Sequence, residues 1–545
     1  MPDKGQPHWD EKLETTEDHD DTYNEDTCYR DTCRPGDKYY LNPTIDDRQP
    51  AGGYDETPIP SAPDGYTIKF TIHRAQNLPR SDLTTKFSDP YVVATLTADL
   101  QKRHKSDPDM VLRTPTIHNS LNPEWETQWI VAGIPSTGFK LKCRIYDEDQ
   151  ANQDDRLGNV TLTIDRVKTG WPGIKYNSFT IKKRMASKRA YVIHGCSAIV
   201  DQNINFDGFL FLSAELIGKS EKPHGRMYTL GLTSYFKHYS PLIGVLAGTK
   251  APKDIQMGGK YQIEKYDFQA NQFQLEGPVP AEMYHRFVEF KPFVKGLFDK
   301  TGIRGRVLNT VLRHQHRRIY NYSSSTEYGI VSPCSEEASM QFLNMAHFDD
   351  GWRTFTYVLT LDGLLRFTET GKEFGIDLLS KHTMHSDICV YIACSGEFLI
   401  RRRHHHHHHH NSSQEEQGTD SNPCRIGRDI KHYTLIIDND SGTYRPKGDL
   451  LPLLKKFLNK NFPGLDVQIK ECTDEAHIKM KQEQRDRKKQ EGHHVQMVQD
   501  SDGEFDSSDE ENLAKRYSGG KGKRERIYAA IEDPKKAIKE IIDKG

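Results

Sequence analysis

Residues 67–78 read TIKFTIHRAQNL, and apolar and polar side chains alternate over the length of one β-strand. The same alternation returns in four later stretches: PYVVATLTA at 90–98, EWETQWIVAGI at 124–134, FKLKCRIYDED at 139–149 and GNVTLTIDRV at 158–167. Asp, Asn, Pro and Gly residues separate the stretches, and no run with helical periodicity interrupts them. This pattern predicts an all-β antiparallel sandwich.

The sandwich is predicted to close late in the sequence. DGFLFLSAEL at 207–216 reads as one more strand of the same fold. It follows an insert at about 170–207, which contains another predicted hairpin. We therefore place the first folded domain at residues 63–217.

The chain is too long for a single domain, because its 545 residues exceed the ~100–200 typical of one. Residues 1–62 are rich in acidic residues and poor in aliphatic ones, which predicts a disordered leader. A second, α+β domain is predicted at 225–475, with a flexible poly-His insertion at 401–425. Residues 476–545 are predicted to form a charged, partly disordered tail.

A β-α-β unit is predicted near the end of the second domain. KHYTLIIDND at 431–440 and LDVQIKEC at 465–472 read as strands. Between them, GDLLPLLKKFLNKNFPG at 448–464 has the apolar spacing of a helix and ends in Pro-Gly.

Charge and cysteine usage limit the class of protein. The formal net charge of -3 argues against a general nucleic-acid binder. Nine cysteines are scattered without the spacing of zinc sites, which predicts reduced thiols in a cytoplasmic protein. No stretch reaches the ~18 apolar residues of a membrane-spanning helix. Any contact with a membrane is therefore expected to be reversible.

Two predicted loops concentrate carboxylates. SDLTTKFSDPYV at 81–92 contains Asp82 and Asp89, and YDEDQANQDDRLG at 146–158 contains Asp147, Asp149 and Asp155. Five acids at neighbouring strand ends repel one another unless a cation lies between them. Calcium accepts oxygen ligands from separate loops in flexible geometry, whereas magnesium demands a strict octahedron. The pattern therefore favours calcium as the cofactor.

These loops carry a resemblance to the C2 domain family, which spans residues 65–217. NLPRSDLTTKFSDPYV resembles the first calcium loop of that family, LNPEW at 121–125 resembles its L-N-P-x-W turn, and YDEDQANQDDRLG resembles its third loop. The resemblance implies that the calcium ligands are Asp82, Asp89, Asp147, Asp149 and Asp155. Glu148 and Asp154 lie beside ligand positions and are expected to face solvent.

The resemblance also implies calcium-dependent binding to anionic, phosphatidylserine-type membranes. The loop-tip residues Leu83 and Phe87 are expected to insert shallowly into the lipid, and Arg113 is the basic residue expected to contact it. The second domain would then be recruited as an adaptor, and that domain or the tail would bind a protein partner.

An alternative hypothesis is an enzyme that acts on a lipid or phosphate substrate in the second domain. It requires a loop and a histidine segment to converge in one pocket, with candidate residues His382, His385, Asp387, Asp438, Asp440 and Ser441. Asp438 or Asp440 would hold magnesium there, and the loop amides would bind phosphate. The loop matches no nucleotide-binding motif, so an enzyme is less favoured than an adaptor.

The tail contains a candidate regulatory site. Ser507 and Ser508 precede a run of acids in DSSDEEN, a pattern that acidophilic kinases favour. Phosphorylation would deepen the negative charge of this segment.

Overall fold

The computed structural model describes residues 57–81, 87–103, 107–148, 154–183, 186–187, 190–192, 194–195, 207–222, 225–239, 269–286, 320, 326–348, 353–370, 385, 391–402, 429–440 and 447–491. The disorder predicted for the leader and for the poly-His insertion falls almost entirely outside these ranges. Ser507 and Ser508 also lie outside them.

The N-terminal part of the chain is a sandwich of two antiparallel sheets. Its strands are β1 (Gly65–Gln76), β2 (Pro90–Thr97), β3 (Met110–Arg113), β4 (Glu124–Pro135), β5 (Phe139–Asp147), β6 (Asp155–Ile164), β7 (Ile174–Thr180), β8 (Phe209–Lys219) and β9 (Tyr228–Gly231). One sheet has the order β7-β8-β1-β4-β9 and the other has the order β3-β2-β5-β6. The predicted sandwich is confirmed, and the late strand β8 pairs with β1 along its whole length.

The apolar side chains at alternate positions of the strands form the core of the sandwich. Ile68, Phe70 and Ile72 of β1 are at most 2% exposed and point between the sheets, where Val92 and Leu96 of β2 meet them. Each such side chain stabilises the fold by about 1.5–3 kcal/mol relative to an exposed position.

The C-terminal part is built on a second, larger sheet. Its strands are β10 (Thr233–Tyr239), β11 (Gln269–Gln274), β13 (Glu327–Val331), β14 (Thr354–Leu359), β15 (Leu364–Glu369), β17 (Cys394–Arg402), β18 (Tyr433–Asp438) and β19 (Asp466–Lys470), while β12 (His285–Arg286) and β16 (Tyr391–Ile392) form a separate pair. The order in the large sheet is β13-β10-β11-β15-β14-β17-β18-β19. Only β18 and β19 pair in parallel among these described strands, with a helix between them, so they form a β-α-β unit.

The helices cover both faces of this sheet. They are α1 (Glu336–Met345), α2 (Leu451–Asn461) and α3 (Glu475–Glu491). On one face, α1 and the end of α2 pack aromatic rings against the strands, and the Phe342 and Phe462 ring centroids lie 4.5 Å apart. The other face carries buried polar residues of β17 and β18, over which α3 lies.

The two parts of the chain join without a long connection. β9 pairs with β4 of the sandwich and ends at Gly231, and β10 of the large sheet begins at Thr233. Residues 228–231 fall within the predicted second domain, whereas their strand pairing adds them to the sandwich sheet. No helix within the described ranges is both long and apolar enough to cross a membrane.

A buried histidine of β10 makes the stability of the C-terminal part depend on pH. His238 is 4% exposed, and burial, aided by the charge of Arg113, lowers the pKa of His238 to about 4 from 6.5. Between pH 4 and 6.5 the unfolded chain therefore binds a proton at His238 that the folded chain does not. The contribution of His238 to the free energy of unfolding is complete above pH 6.5 and is lost as the pH falls toward 4. We expect wild type to lose about 3 kcal/mol more than a His238→Gln variant over this range, measured by urea denaturation at several pH values. Equal losses in both proteins would contradict the assignment.

Candidate functional site

The strand register brings three of the predicted calcium ligands to one end of the sandwich. Asp147, the last residue of β5, lies opposite Pro90 of β2 and opposite Asp155 of β6. The backbone N–H of Glu148 donates to the carbonyl of Asp89 at 3.0 Å, which holds the two loops together. Since directly opposed residues of antiparallel strands have Cα atoms ~4.5–5.5 Å apart, Asp89, Asp147 and Asp155 form one acidic edge.

Asp147 is the buried member of this edge, at 1% exposure. Its carboxylate accepts hydrogen bonds from the Ser81 hydroxyl and from the backbone N–H of Asp89. A carboxylate has about four lone-pair sites, so accepting hydrogen bonds is compatible with binding a cation. These bonds fix the orientation of the carboxylate at the junction of the two loops.

Asp89 is oriented by the turn directly before LNPEW. Its Oδ1 accepts the backbone N–H of Asn119 at 2.7 Å, and its Oδ2 lies 3.3 Å from Nδ1 of His118. The hydrogen bond with Asp89 raises the pKa of His118, although burial opposes the shift. A protonated His118 therefore competes with a cation for this carboxylate.

Glu148 does not face solvent, contrary to the expectation from the sequence. It is 8% exposed, accepts a hydrogen bond from the Thr116 hydroxyl and lies 3.5 Å from Nη2 of Arg113. Burial raises the pKa of Glu148 to about 7, although the charge of Arg113 acts in the opposite direction. Asp154 is half-buried and accepts a hydrogen bond from the Tyr91 hydroxyl at 2.6 Å.

Arg113, expected to contact lipid, is engaged within the protein. Its guanidinium lies 3.9 Å from the centroid of the Tyr91 ring, and its side chain is 19% exposed. With Glu148 also close to it, the guanidinium contacts both an aromatic ring and a carboxylate of the protein. The physical reason is that the ring and the buried carboxylate together offer this cation a better environment than the open strand surface.

Of the remaining residues predicted for this site, one lies among the residues that the structure describes and three do not. Phe87 is 44% exposed, as a membrane-inserting side chain requires. Asp82, Leu83 and Asp149 lie outside the described residues. Within the ranges given above, no group of three or more His, Cys, Asp and Glu side chains is arranged to hold a metal ion.

The alternative site in the C-terminal part does not assemble from the residues described. His385 is fully buried, hydrogen-bonds the Tyr320 hydroxyl and accepts from Arg366 of β15 through its carbonyl at 3.3 Å. Asp438 ends β18, which is three strands away from β15 in the sheet order, or roughly 14 Å at the usual spacing. His382, Asp387 and Ser441 lie outside the described residues.

Asp438 is instead the centre of a buried ionic network. Its Oδ1 accepts the backbone N–H groups of Glu397 and Asp440 at 2.8 and 2.9 Å, and its Oδ2 accepts His477 Nε2 and Lys481 Nζ, both at 2.7 Å. Burial alone would raise the pKa of Asp438. The hydrogen bond from His477 and the charge of Lys481 outweigh this effect and hold the pKa well below its usual range.

The network does not fit the magnesium or phosphate site predicted at Asp438 and Asp440. Four donors fill the approximately four lone-pair sites of the Asp438 carboxylate. The Lys481 ammonium lies 2.7 Å from Glu397, 2.7 Å from Asp438 and 3.3 Å from Asp440, where a bound cation would have to lie. Residues 476–491 belong to the predicted tail, but they pack against the sheet through His477 and Lys481.

Comparisons with known proteins bear on the sandwich. The C2 domain family matches residues 66–177. Human Ras GTPase-activating protein 4B is 32% identical over 101 residues, which are 18% of this chain and 11% of that protein. Rabphilin-1 of Caenorhabditis elegans is 33% identical over 99 residues, 18% of this chain and 8% of that protein.

A solved structure, a C2 domain of plant extended synaptotagmin 1, aligns with 19% identity and a TM-score of 0.21, over 29% of this chain and 100% of that one. The chain spans only about a tenth of the length of the curated relatives named above. Their resemblance therefore concerns one module. Residues 66–177 of this chain are a C2 domain.

Proposed function

We propose that the chain binds anionic phospholipid membranes in a calcium-dependent manner through the acidic edge of its C2 domain. The proposal is supported by the strand register, in which Asp89, Asp147 and Asp155 lie close together at one end of the sandwich. Asp82 and Asp149 are the other two ligands that the family resemblance implies.

The donor set suits calcium chemically. Calcium takes six to eight oxygen ligands at about 2.3–2.6 Å and tolerates irregular geometry. The acidic edge supplies carboxylates from two loops whose backbones are tied together by the bond from Glu148 to Asp89. Bound calcium would supply positive charge and open coordination positions for lipid phosphate or carboxylate oxygens.

The residues of the chain contribute in distinct ways. Asp147 is held in place by Ser81 and the Asp89 amide, so the edge is preorganised and little ordering is needed on binding. Phe87 inserts beside it and adds about 1.5–3 kcal/mol if fully buried in lipid. Arg113 supports the loop rather than the headgroup contact, because it is paired with Glu148.

The C-terminal part acts in this proposal as the recruited element. We infer an adaptor role for it, with a protein partner bound there or on the tail, in a cytoplasmic protein that associates reversibly with membranes. The position of Lys481 among the carboxylates disfavours the enzyme alternative at that place.

Liposome co-sedimentation tests the proposal. With phosphatidylserine-containing vesicles and calcium, the full chain is expected in the pellet, and chelator is expected to release it. Asp147→Asn should weaken calcium-dependent binding by at least about tenfold, because it removes the charge at the junction of the loops. Asp165→Asn is the matched control, since Asp165 is an exposed acid directly after the opposite end of β6.

Three outcomes would overturn parts of the proposal. Equal pelleting in calcium and chelator would exclude calcium dependence. Equal pelleting on vesicles of phosphatidylcholine alone would exclude an anionic preference. An identical loss for Asp165→Asn and Asp147→Asn would show that net charge rather than the acidic edge governs binding.

A further inference from the structure

Three strands of one sandwich sheet carry irregularities at the same place. Between β1 and β8 the register shifts at His73, which is an extra residue in β1. Between β1 and β4 it shifts again beside His73, leaving an extra residue in β4. Between β7 and β8 it shifts at residues 175–176. Bulges redirect side chains and are over-represented next to active sites.

Two residues at these bulges have unusual backbone conformations. Glu126 of β4 has φ +44° and Tyr176 of β7 has φ +47°. Non-glycine residues rarely adopt this left-handed region. The sheet thus holds two strained residues within contact of the same histidine, as Glu126 hydrogen-bonds His73 and the Tyr176 ring lies 4.7 Å from the His73 ring centroid.

The bulges align a serine, a histidine and a glutamate. Glu126 Oε2 lies 2.8 Å from His73 Nδ1, and His73 Nε2 lies 2.7 Å from Ser213 Oγ. An ionised carboxylate only accepts hydrogen bonds, so Nδ1 carries the proton toward Glu126. In the neutral imidazole, Nε2 is then the acceptor of the Ser213 hydroxyl proton. The backbone N–H of Tyr176 donates to Ser213 Oγ at 2.9 Å and fixes the orientation of the hydroxyl.

The group lies on the outer face of the sheet. Ser213 is 5% exposed, whereas the side chain of Glu126 is 62% exposed. Arg74, the residue after the bulge, places its guanidinium 4.6 Å from the Phe211 ring centroid and donates from Nε to the Tyr176 hydroxyl at 2.8 Å. An aromatic ring and a hydroxyl therefore hold Arg74 on the same face of the sheet.

We propose that Ser213 is an activated nucleophile toward carboxylic esters, with His73 as its general base and Glu126 as the residue that positions His73. A nucleophile hydrogen-bonded to a base that a third group orients is the recognised signature of such activation. This site is separate from the acidic edge, where Asp147 and Asp155 lie in β5 and β6 of the other sheet and Asp89 lies directly before β2.

The reaction is an acyl transfer in two stages. Ser213 Oγ bonds to the ester carbonyl carbon while its proton passes to His73 Nε2. The ester C–O bond then breaks, and the leaving alkoxide takes that proton as the alcohol. Water, deprotonated by His73, attacks the acyl-serine, and release of the carboxylic acid restores Ser213.

Labelling with a biotinylated fluorophosphonate tests the nucleophile on the full chain. Ser213 oxygen displaces fluoride from phosphorus, so mass spectrometry of tryptic peptides is expected to place the adduct on Ser213. Ser213→Ala should abolish labelling and hydrolysis of para-nitrophenyl acetate. Ser178→Ala is the matched control, because Ser178 is an exposed serine on the adjacent strand β7.

The two supporting residues are tested by rate. His73→Ala is expected to slow labelling by about 10²–10⁴-fold, the usual contribution of a general base. Glu126→Gln should slow it too, and Glu126→Asp should restore part of the rate, since Asp keeps the charge and tolerates positive φ. Thermal unfolding of each variant establishes that it is folded. Absence of labelling in the folded wild type, or labelling that persists in Ser213→Ala, would overturn the proposal.

Discussion

Replacing Lys481 with methionine is expected to lower the free energy of unfolding of the C-terminal part by about 3–5 kcal/mol. The substitution keeps the length of the side chain but leaves Glu397 and Asp438, both at most 1% exposed, without their shared cation. Asp438 keeps its hydrogen bonds from His477 and from the backbone, but both buried carboxylates lose the positive charge between them, and removing one partner of a buried ion pair is strongly destabilising. Urea denaturation with hydrogen exchange of peptides from α3 and β17 measures the effect.

Lys479→Met is the control for this substitution. Lys479 is an exposed lysine of the same helix, so its replacement should change stability by no more than about 0.5 kcal/mol. The dependence of stability on acidic pH provides a second test of the network. Because the pKa of Asp438 is lowered, the contribution of the network is present above the ordinary aspartate pKa of about 4 and is lost as the pH falls below it. Equal stabilities of the two lysine variants at neutral pH would refute the structural role of the network.

Gly396→Ala is expected to cost at least as much as the upper end of the usual overpacking range of about 1–3 kcal/mol. A Cβ at this position would overlap the backbone carbonyl of Asp438 on the neighbouring strand, and a backbone atom cannot rotate away. β17 and β18 would have to separate, which would also displace the hydrogen bond from Tyr357 to the Asp438 carbonyl. The same denaturation measurement applies, with loss of exchange protection centred on β18.

Ser395→Ala provides the adjacent comparison on the same strand. The Ser395 hydroxyl is buried and has no hydrogen-bond partner among the described residues, so its removal leaves nothing unsatisfied. The variant should be as stable as wild type or more stable, since a buried unpaired polar group costs about 1–3 kcal/mol. If Ser395→Ala and Gly396→Ala destabilised equally, steric overlap at Gly396 would not be the cause.

The sandwich was predictable from sequence because alternation is a direct consequence of strand geometry. The same rule places Asp147 and Glu148 on opposite sides of the chain. It does not reveal what covers either side. Glu148 is buried because Arg113 and Thr116, from β3 and the turn after it, come together above it, and that proximity is a tertiary property.

The packing of α3 escaped prediction for a different reason. Among the side chains of α3 that the structure describes, the buried ones are polar: His477, Lys481 and Gln484. The helix therefore lacks the apolar stripe that predicts packing against a core, so its sequence pattern favours a free tail. The signal that remains is the i, i+4, i+7 spacing of these three residues, which has meaning only once the carboxylates opposite them are known.

The grouping of Ser213, His73 and Glu126 escaped prediction because bulges interrupt the two-residue alternation by which strands are recognised in a sequence. His73 and Arg74 are neighbours in sequence, and regular alternation would send them to opposite faces. The extra residue in β1 brings both to the outer face, where His73 meets Ser213 and Arg74 meets Phe211. Such a contact depends on the pairing register of three strands.

The direct passage from β9 into β10 has a mechanical consequence. With one residue between the strand that completes the C2 sheet and the first strand of the large sheet, the chain has no spacer there with which to vary its reach. When the acidic edge docks on a membrane, the short connection would pass the orientation of the C2 domain on to the C-terminal part. The angle at which the C2 domain docks would then decide which surface of the large sheet is presented to a partner.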